Sequence, residues 1–220
     1  MIAMKNRSEL IGLILVIMLL VLATTALAAE KPNLELKADE LLIDDLKAEV
    51  TAVGNVEFSR GNMKLRADRL RAKEQLKMIE ADGSIVIEQQ QRKLRGEELS
   101  LNTETEVGTL TGSPEYQTAE MLIQGRKFDF DLKSGKLVVT GQVYLENQSE
   151  DMTAEAEKLI YYQNKKEAFL TGDVVVNRGA RRMMAEKMRI DLETNKIKAE
   201  GRTRLIVPDA NQEQGDENGD

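Results

Sequence analysis

The sequence predicts an all-β fold, an antiparallel β-jelly roll of about twelve long, bent strands built from six repeats of about 29 residues. Three observations lead to this prediction. Glycines recur at a nearly constant spacing, apolar residues alternate with polar ones at every second position, and turn residues recur at about half the glycine spacing. The glycine spacing indicates an internal repeat, the alternation indicates strands, and the turn spacing indicates hairpins.

The repeat is marked by six glycines, and a small residue lies sixteen positions before each of them. The spacings between successive glycines are 29, 29, 29, 31 and 29 residues. Because the offset of sixteen is kept in all six copies, it indicates internal repetition. The twelve positions are Ala38, Gly54, Ala67, Gly83, Gly96, Gly112, Gly125, Gly141, Ala156, Gly172, Ala185 and Gly201.

The alternation within each unit is typical of strands with one buried face. Between Ala48 and Phe58 the even positions are apolar or small, and most of the odd positions are polar. The same alternation returns in 137–145, 168–176 and 197–201. A period of two residues predicts strands, whereas an amphipathic helix has a period of 3.6. The body of the chain is therefore predicted to be all-β.

Short turns separate the predicted strands. Turn-forming residues stand at 44–45, 60–62, 102–103, 133–135, 164, 178–179 and 194–195. Such short connections favour antiparallel hairpins, because parallel neighbours in one sheet need long crossovers. A parallel β-helix with one 29-residue coil per repeat is the alternative architecture. Two turns in each repeat and no third corner favour the stack of hairpins.

Hairpin geometry predicts that the small residues form a line across the sheet. It places Ala38 opposite Gly54, and Gly54 opposite Ala67. In the first strand the apolar parity changes between Ala38 and Leu41, which indicates a bulge or bend at 39–40. An acidic residue after the small one is expected to hold this irregularity, and the bent strands are expected to form two facing half-sheets. These acidic residues are Asp39, Asp68, Glu97, Glu157 and Glu186.

The two ends are predicted to lie outside the fold. Residues 1–28 read as a signal peptide, with a net-basic start, an apolar run at 10–22 and an A-x-A cleavage site at 26–28. An uncleaved membrane anchor over 10–29 is the alternative, and export is expected in both cases. Residues 209–220 carry five acids and no base, so they are predicted to form a solvated, disordered tail. The folded domain is therefore 29–208.

The composition excludes several classes of function. The chain has no Cys, His or Trp, which removes disulfides, Cys/His zinc sites and nucleophile–histidine catalysis. With 31 basic and 38 acidic residues the net charge is −7, which argues against nucleic acid as a partner. Asp44, Asp45, Asp129 and Asp131 are interpreted as solvated turn residues. No catalytic residue, metal or cofactor is predicted.

The units A-D-E-L-L-I-D, A-V-G-N-V-E-F and A-D-R-L…A-D-G-S-I-V-I resemble the OstA-like repeat of the lipopolysaccharide-transport proteins, the LptA family. The resemblance extends from about residue 34 to residue 208. Two departures are visible. The asparagine after the glycine is kept only as Asn55, and Pro114 interrupts the third copy. The third copy is therefore the least secure place to transfer family properties.

The resemblance implies a periplasmic carrier or bridge that shields the acyl chains of lipid A between its sheets, on the way to the outer membrane. The implied partners are lipopolysaccharide, transport components of the inner and outer membranes, and further copies of the chain. Burying hydrocarbon would release about 0.8 kcal/mol per CH₂. Alternatively, the inward-facing residues only pack on each other as a core. The predicted lining is Val56, Phe58, Ile85, Ile87, Phe128, Phe130, Val143, Leu145, Val174 and Val176.

The resemblance also implies head-to-tail assembly, and the sequence supplies two suitable edges. The first and last strands are long, and Pro32 and Pro208 lie outside them, so neither edge is blocked by proline. Three alternatives stay open: a structural envelope repeat protein that polymerises without lipid, a membrane-anchored relative at the inner membrane, and an exported carbohydrate-active enzyme on a β-solenoid. The predicted edge residues are Leu34, Leu36, Leu41, Ile43, Leu205 and Val207.

Overall fold

The computed structural model describes residues 34–208, and these form sixteen strands and two short 3₁₀ turns, Gln148–Glu150 and Gln163–Lys165. The predicted signal peptide (1–28) and acidic tail (209–220) lie outside the described residues, as do the first few residues of the predicted domain. The strands are β1 (Leu34–Lys37), β2 (Glu40–Asp44), β3 (Glu49–Arg60), β4 (Met63–Lys73), β5 (Met78–Gln89), β6 (Arg92–Asn102), β7 (Val107–Thr111), β8 (Glu115–Gln117), β9 (Met121–Gln124), β10 (Lys127–Asp131), β11 (Lys136–Asn147), β12 (Met152–Tyr162), β13 (Glu167–Arg178), β14 (Arg181–Asp191), β15 (Lys196–Glu200) and β16 (Arg204–Ile206).

All strands of the described region belong to one sheet in which every neighbour is antiparallel. Four rows of the sheet consist of two short strands each, namely β1 with β2, β7 with β8, β9 with β10, and β15 with β16. The sixteen strands therefore make twelve rows, in chain order. The all-β, antiparallel prediction is confirmed, and the parallel β-helix is excluded for this part of the chain.

Six pairs of neighbouring strands carry a β-bulge at the crease, and in the rows of two short strands the strand is interrupted there instead. Between β3 and β4 the register shifts after Val53, so Gly54 and Asn55 together oppose Asp68. Equivalent shifts occur between β4 and β5, β5 and β6, β11 and β12, β12 and β13, and β13 and β14. The predicted pairing of small residues with each other was wrong by one to two positions. Ala67 lies opposite Val56. The extra residue of the bulge places Asp68, and not Ala67, opposite Gly54.

Three of the five acidic residues, Asp39, Asp68 and Glu186, accept a hydrogen bond from the residue that follows a crease glycine, in agreement with the sequence prediction, and Glu97 and Glu157 lie against their glycines. The Asp39 carboxylate accepts a hydrogen bond from the Asn55 side chain at 2.8 Å, and the Asp68 carboxylate accepts one from the Ser84 backbone N–H at 3.0 Å. The glycines are required here because they adopt positive φ and because the acidic side chain covers their α-carbon. A Cβ built on Gly83, at φ +100°, would be 2.5 Å from the Cβ of Asp68.

The bulges fold the sheet over on itself. Arg60 ends β3, and Thr103 follows the opposite end of β6, yet the Arg60 guanidinium donates a hydrogen bond to the Thr103 carbonyl oxygen. In a flat sheet a twelve-residue strand would hold such ends about 40 Å apart. The strands are therefore bent at the crease into two facing half-sheets, and one apolar core fills the space between them.

Two rows of turns meet where the half-sheets close. Row A contains the turns 45–48, 74–77, 103–106, 132–135, 163–166 and 192–195, and row B contains 61–62, 90–91, 118–120, 148–151 and 179–180. Half A is the part of each strand between the crease and row A, and half B is the part between the crease and row B. The line along which the two rows meet is called the mouth.

Candidate functional site

The ten predicted lining residues all lie in the core between the half-sheets. Each is at most 3 % exposed, and all belong to a single cluster of buried apolar side chains. Eight of them are on half B, and Phe128 and Phe130 are on half A, in β10. The structure therefore brings the predicted set together and packs it against itself. Any guest molecule in this space would have to separate the two half-sheets or use their ends.

Arginine side chains close the mouth at three places. Besides the contact from Arg60 to Thr103, Arg92 donates to the carbonyl oxygen of Leu132 at 3.3 Å, and Arg178 donates to that of Asn195 at 3.0 Å. Each of these bonds joins row B, or a strand residue next to it, to a turn of row A. We call them the arginine latches. Bonds from a charged donor are stronger than neutral ones, so the latches hold the half-sheets together.

Two of the three latches, Arg60 and Arg178, belong to a repeated position that sequence analysis missed. Six residues after the crease glycine, each of the first five copies has a polar residue at the mouth, and only the first and fifth have arginine. The signal was available, because Arg60-Gly61 and Arg178-Gly179 stand at the same place in their repeats, but these pairs were interpreted only as turns. The five residues at this latch position are Arg60, Gln89, Thr118, Asn147 and Arg178.

A cleft of about 610 Å³ crosses the mouth between the latches of Arg92 and Arg178. Thr118 and Asn147 line it. Both occupy the latch position, and neither can reach as far as an arginine. Tyr161 also lines the cleft and is only 4 % exposed, and burial raises its pKa to about 12. The Tyr161 ring lies 6.1 Å from that of Tyr116, centroid to centroid.

The predicted edge residues lie on the two outermost rows of the sheet. Leu41 pairs with the fully buried Ala52 and so faces the inside of the fold, but it is 47 % exposed because nothing covers the end of the sheet. Ile43 and Leu34 are exposed in the same way, and Leu36 is half-buried. At the other end, Leu205 and Val207 are 60 % and 58 % exposed. Apolar surface that faces inward in the rest of the fold is thus open at both ends.

Three of the four acidic residues interpreted as turn residues, Asp44, Asp129 and Asp131, have hydrogen-bond partners, and the interpretation was wrong for Asp129, which lies inside strand β10. The Asp131 carboxylate accepts hydrogen bonds from the backbone N–H groups of Lys133 and Ser134, which lowers the pKa of Asp131. Asp44 caps the first turn of row A in the same way, through Lys47. Asp129 accepts a hydrogen bond from the Thr109 hydroxyl at 2.7 Å. Within residues 34–208 no cluster of three groups suited to a metal ion is present.

The outer faces of the sheet are covered with ion pairs. Arg66 on β4 contacts Glu88 on β5 at 2.9 Å, and Arg95 on β6 contacts Glu115 on β8 at 2.7 Å. Exposed pairs of this kind contribute little to stability. Their consequence is that the basic side chains of β4 and β6 face acidic neighbours on the sheet and do not form an open anion-binding surface.

Comparison with known proteins decides the family. The model of the family described as "LptA/(LptD N-terminal domain) LPS transport protein" matches residues 35–196, and again 153–216. This chain belongs to that family. The match extends over most of the repeat region, so the OstA-like/LptA resemblance is confirmed.

Among solved structures, the chain is similar to LptH from Pseudomonas aeruginosa, described as the LptA homologous periplasmic component of the conserved lipopolysaccharide transport device. The identity is 13 %, the match covers 80 % of this chain and 96 % of that one, and the TM-score is 0.27. No curated protein matches this chain. The assignment to the LptA/LptD N-terminal domain family rests on the family model and on the repeat motif.

Proposed function

We propose that this chain is a periplasmic lipid-binding carrier or bridge in lipopolysaccharide transport to the outer membrane. It would hold the acyl chains of lipid A against the apolar inner faces of the two half-sheets. The observation that carries the proposal is the combination of membership in a lipopolysaccharide-transport family with an interior that is apolar along its whole length. Transfer of hydrocarbon into such an interior is favourable without any catalytic group, at about 0.8 kcal/mol per CH₂.

Acyl chains would reach the interior from its ends. The inward-facing residues of the outermost rows, such as Leu41 and Leu205, are open to solvent, while the middle of the core is closed. A chain entering at an end would extend the existing core before it had to break an arginine latch. The ten predicted lining residues would then contact the lipid only after the half-sheets had moved apart.

Assembly would use the same two ends. Outermost strands carry backbone groups with no neighbour in the sheet, and strand addition satisfies them. We propose that the β15–β16 row of one copy adds to the β1–β2 row of the next, and that components at the inner and outer membranes add to the terminal copies by the same means. Such an interface is heterologous, so it can extend without closing.

The N-terminal residues decide how the chain is placed in the envelope. We propose export by the predicted signal peptide, with retention as a membrane anchor as the alternative. Within the described part of the chain, no helix is long and apolar enough to span a membrane. Sequencing the N-terminus of the mature chain from the periplasmic fraction would separate the two, because only cleavage leaves Ala29 as the first residue.

A second function is favoured by one observation. The core is already filled, with all ten predicted lining residues at most 3 % exposed, which suits a structural repeat protein that polymerises without cargo. Native mass spectrometry after mild purification from cells that make lipopolysaccharide separates the two functions. A carrier is expected to retain lipopolysaccharide in a fixed ratio, and a second preparation from cells depleted of it is expected to lack that adduct. A protein free of lipid in both preparations would contradict the carrier.

A further inference from the structure

The cleft in the mouth is where the latch position has its shortest side chains. Three of the five copies place a long side chain there or beside it: Arg60 and Arg178 reach row A directly, and Arg92 does so beside Gln89. In the next two copies the position is Thr118 and Asn147, and the rows are left apart over about 610 Å³. That volume lies within the usual range of small-molecule sites, roughly 300–1,000 Å³.

Carboxamides are the largest group of side chains in the lining of the cleft, at five of fourteen. A carboxamide has both donor N–H groups and an acceptor oxygen, which matches the hydroxyl group, a group that also donates and accepts. The formal charges are few and nearly balanced, with Arg92 and Lys166 against Glu120. This chemistry suits a ligand rich in hydroxyls with little net negative charge. The carboxamide residues are Gln90, Gln91, Asn147, Gln163 and Asn164.

Below the cleft the surroundings change from polar to apolar. Arg92 and Tyr161 line both the cleft and a small cavity of about 20 Å³ beneath it, and that cavity is also lined by Leu94, Phe130 and Leu137. The cavity is also lined by Asp131, Leu132, Gly135 and Lys136, so it lies where the core meets row A. Arg92 and Tyr161 therefore stand at the boundary between a polar opening and the apolar interior, the position that amphipathic side chains prefer.

Two buried polar atoms at this boundary point to a missing partner. The Nε of Arg92 and the hydroxyl of Tyr116 are both buried, and neither has a hydrogen-bond partner among the described residues. Buried donors are nearly always paired in folded proteins. Both residues line the small cavity beneath the cleft, so a hydroxyl group or a water molecule there could accept from Arg92 and pair with Tyr116.

We propose that this cleft binds saccharide hydroxyls, such as those of the sugar headgroup of a glycolipid. Headgroup binding here does not require acyl chains to enter at the mouth, so this inference goes beyond the proposed lipid-carrier function and does not depend on it. Free oligosaccharide would present the same hydroxyls, and the experiment below distinguishes the two sources.

The test compares three probes by equilibrium dialysis: intact lipopolysaccharide, the water-soluble saccharide made from it by complete deacylation, and lauric acid. The variant carries Gln91→Ala and Gln163→Ala. Because each change removes hydrogen bonds to the ligand, we expect about tenfold weaker binding of lipopolysaccharide and of the saccharide, with lauric acid unchanged. Gln117→Ala, an exposed amide on β8 outside the cleft, is the matched control and is expected to change none of the three.

A second variant tests the position independently of the amides. Thr118→Arg places a long latch side chain in the cleft and is expected to block the saccharide while circular dichroism stays unchanged. Thermal unfolding is expected to shift slightly downward, because the Thr118 hydroxyl accepts hydrogen bonds from the backbone N–H groups of Met121 and Glu120. If wild type and both variants bind the saccharide or lipopolysaccharide equally well, the proposal that the cleft binds saccharide is contradicted. The proposed carrier function would not be affected by that result. Binding of the saccharide without lipopolysaccharide or lauric acid would keep the cleft and contradict the carrier. No binding of any probe would contradict both.

Discussion

Glu157 lies directly against the α-carbon of Gly172 across the crease between β12 and β13. A Cβ built on Gly172 would be only 2.7 Å from the Cβ of Glu157, and Gly172 adopts a φ of +85°. Two separate constraints therefore act at one residue. The backbone conformation disfavours any side chain, and the glutamate occupies the space that a side chain would need.

Gly172→Ala is expected to lower the free energy of unfolding by about 1–3 kcal/mol, because both constraints are violated. Gly179→Ala is the matched control: its φ is +53°, but a Cβ there would have a single neighbour, at 3.8 Å. Urea denaturation should show the larger loss for Gly172→Ala, and Glu157→Ala should recover part of it in the double variant. Equal losses for the two glycine variants would show that the contact with Glu157 has no steric cost.

Arg178→Ala removes a latch, since Arg178 donates to the Asn195 carbonyl and also contacts Glu150 at 2.6 Å. We expect a loss of about 1–3 kcal/mol, the usual effect of removing a hydrogen bond to a charged group. Amide hydrogen exchange should become faster in the turn 192–195. Arg181→Ala, an exposed neighbour, is expected to change stability by less than about 0.5 kcal/mol. Unchanged exchange in that turn would mean that the latch does not hold the mouth closed.

Asp131→Asn should reduce the dependence of stability on acid pH. The pKa of Asp131 is lowered in the fold by hydrogen bonds from Ser134 and Lys133, so its contribution is present above the unfolded value of about 3.9 and is lost as the pH falls through the folded pKa. Asparagine can accept the same bonds, as Asn102 does from Glu104 and Thr105. Because asparagine carries no charge, it lacks the part of this contribution that depends on ionisation, so stability at pH 7 should be somewhat lower than that of wild type and the difference should shrink as the pH falls.

The measurement for Asp131→Asn is the urea midpoint between pH 7 and pH 2.5. The variant should lose less stability than wild type below about pH 4. Asp45→Asn, in an exposed position of the first turn of row A, is the comparison for the loss of a surface carboxylate and should leave the urea midpoint at pH 7 nearly unchanged. A variant curve parallel to wild type at every pH would contradict the role given to the Asp131 carboxylate.

Leu205→Lys should weaken head-to-tail association. Leu205 faces inward on the outermost row but is largely exposed, so a lysine there would bring an unpaired charge into the proposed junction. We expect the dissociation constant to rise by about tenfold, as measured by sedimentation velocity. Val107→Lys, at a comparably exposed apolar position away from both edges, should leave association unchanged. Equal association by both variants would place the junction elsewhere.

Sequence reasoning predicted the strands, the repeat and the crease because these depend on local patterns. Alternating residues such as Val56 and Phe58 identify a buried face, and Gly54 identifies a bend, without knowledge of the rest of the fold. The exact pairing failed because a bulge adds one residue to one strand only, and nothing in the sequence shows that Gly54 and Asn55 share a single opposing residue.

The contacts across the mouth could not be predicted in the same way. Arg60 and Thr103 are 43 residues apart, and they meet only because of the angle at which the two half-sheets close. That angle arises from the sum of twist and bulge over several strands. The cleft was missed for the same reason, since Gln91 and Gln163 belong to opposite rows of turns and have no shared pattern in the sequence.

The arginine latches also show that the two half-sheets are offset from each other. The sequence separation between the donor and the acceptor of a latch is 43 residues for Arg60 and 17 residues for Arg178. The first turn of row B meets the third turn of row A, whereas the last turn of row B meets the last of row A. The half-sheets are therefore staggered: half A projects beyond half B at the N-terminal end, with Leu41 and Ile43 uncovered, and β16 of half B is uncovered at the other. A second copy added at either end would therefore meet a stepped surface, on which one half-sheet extends further than the other, and not a flat face.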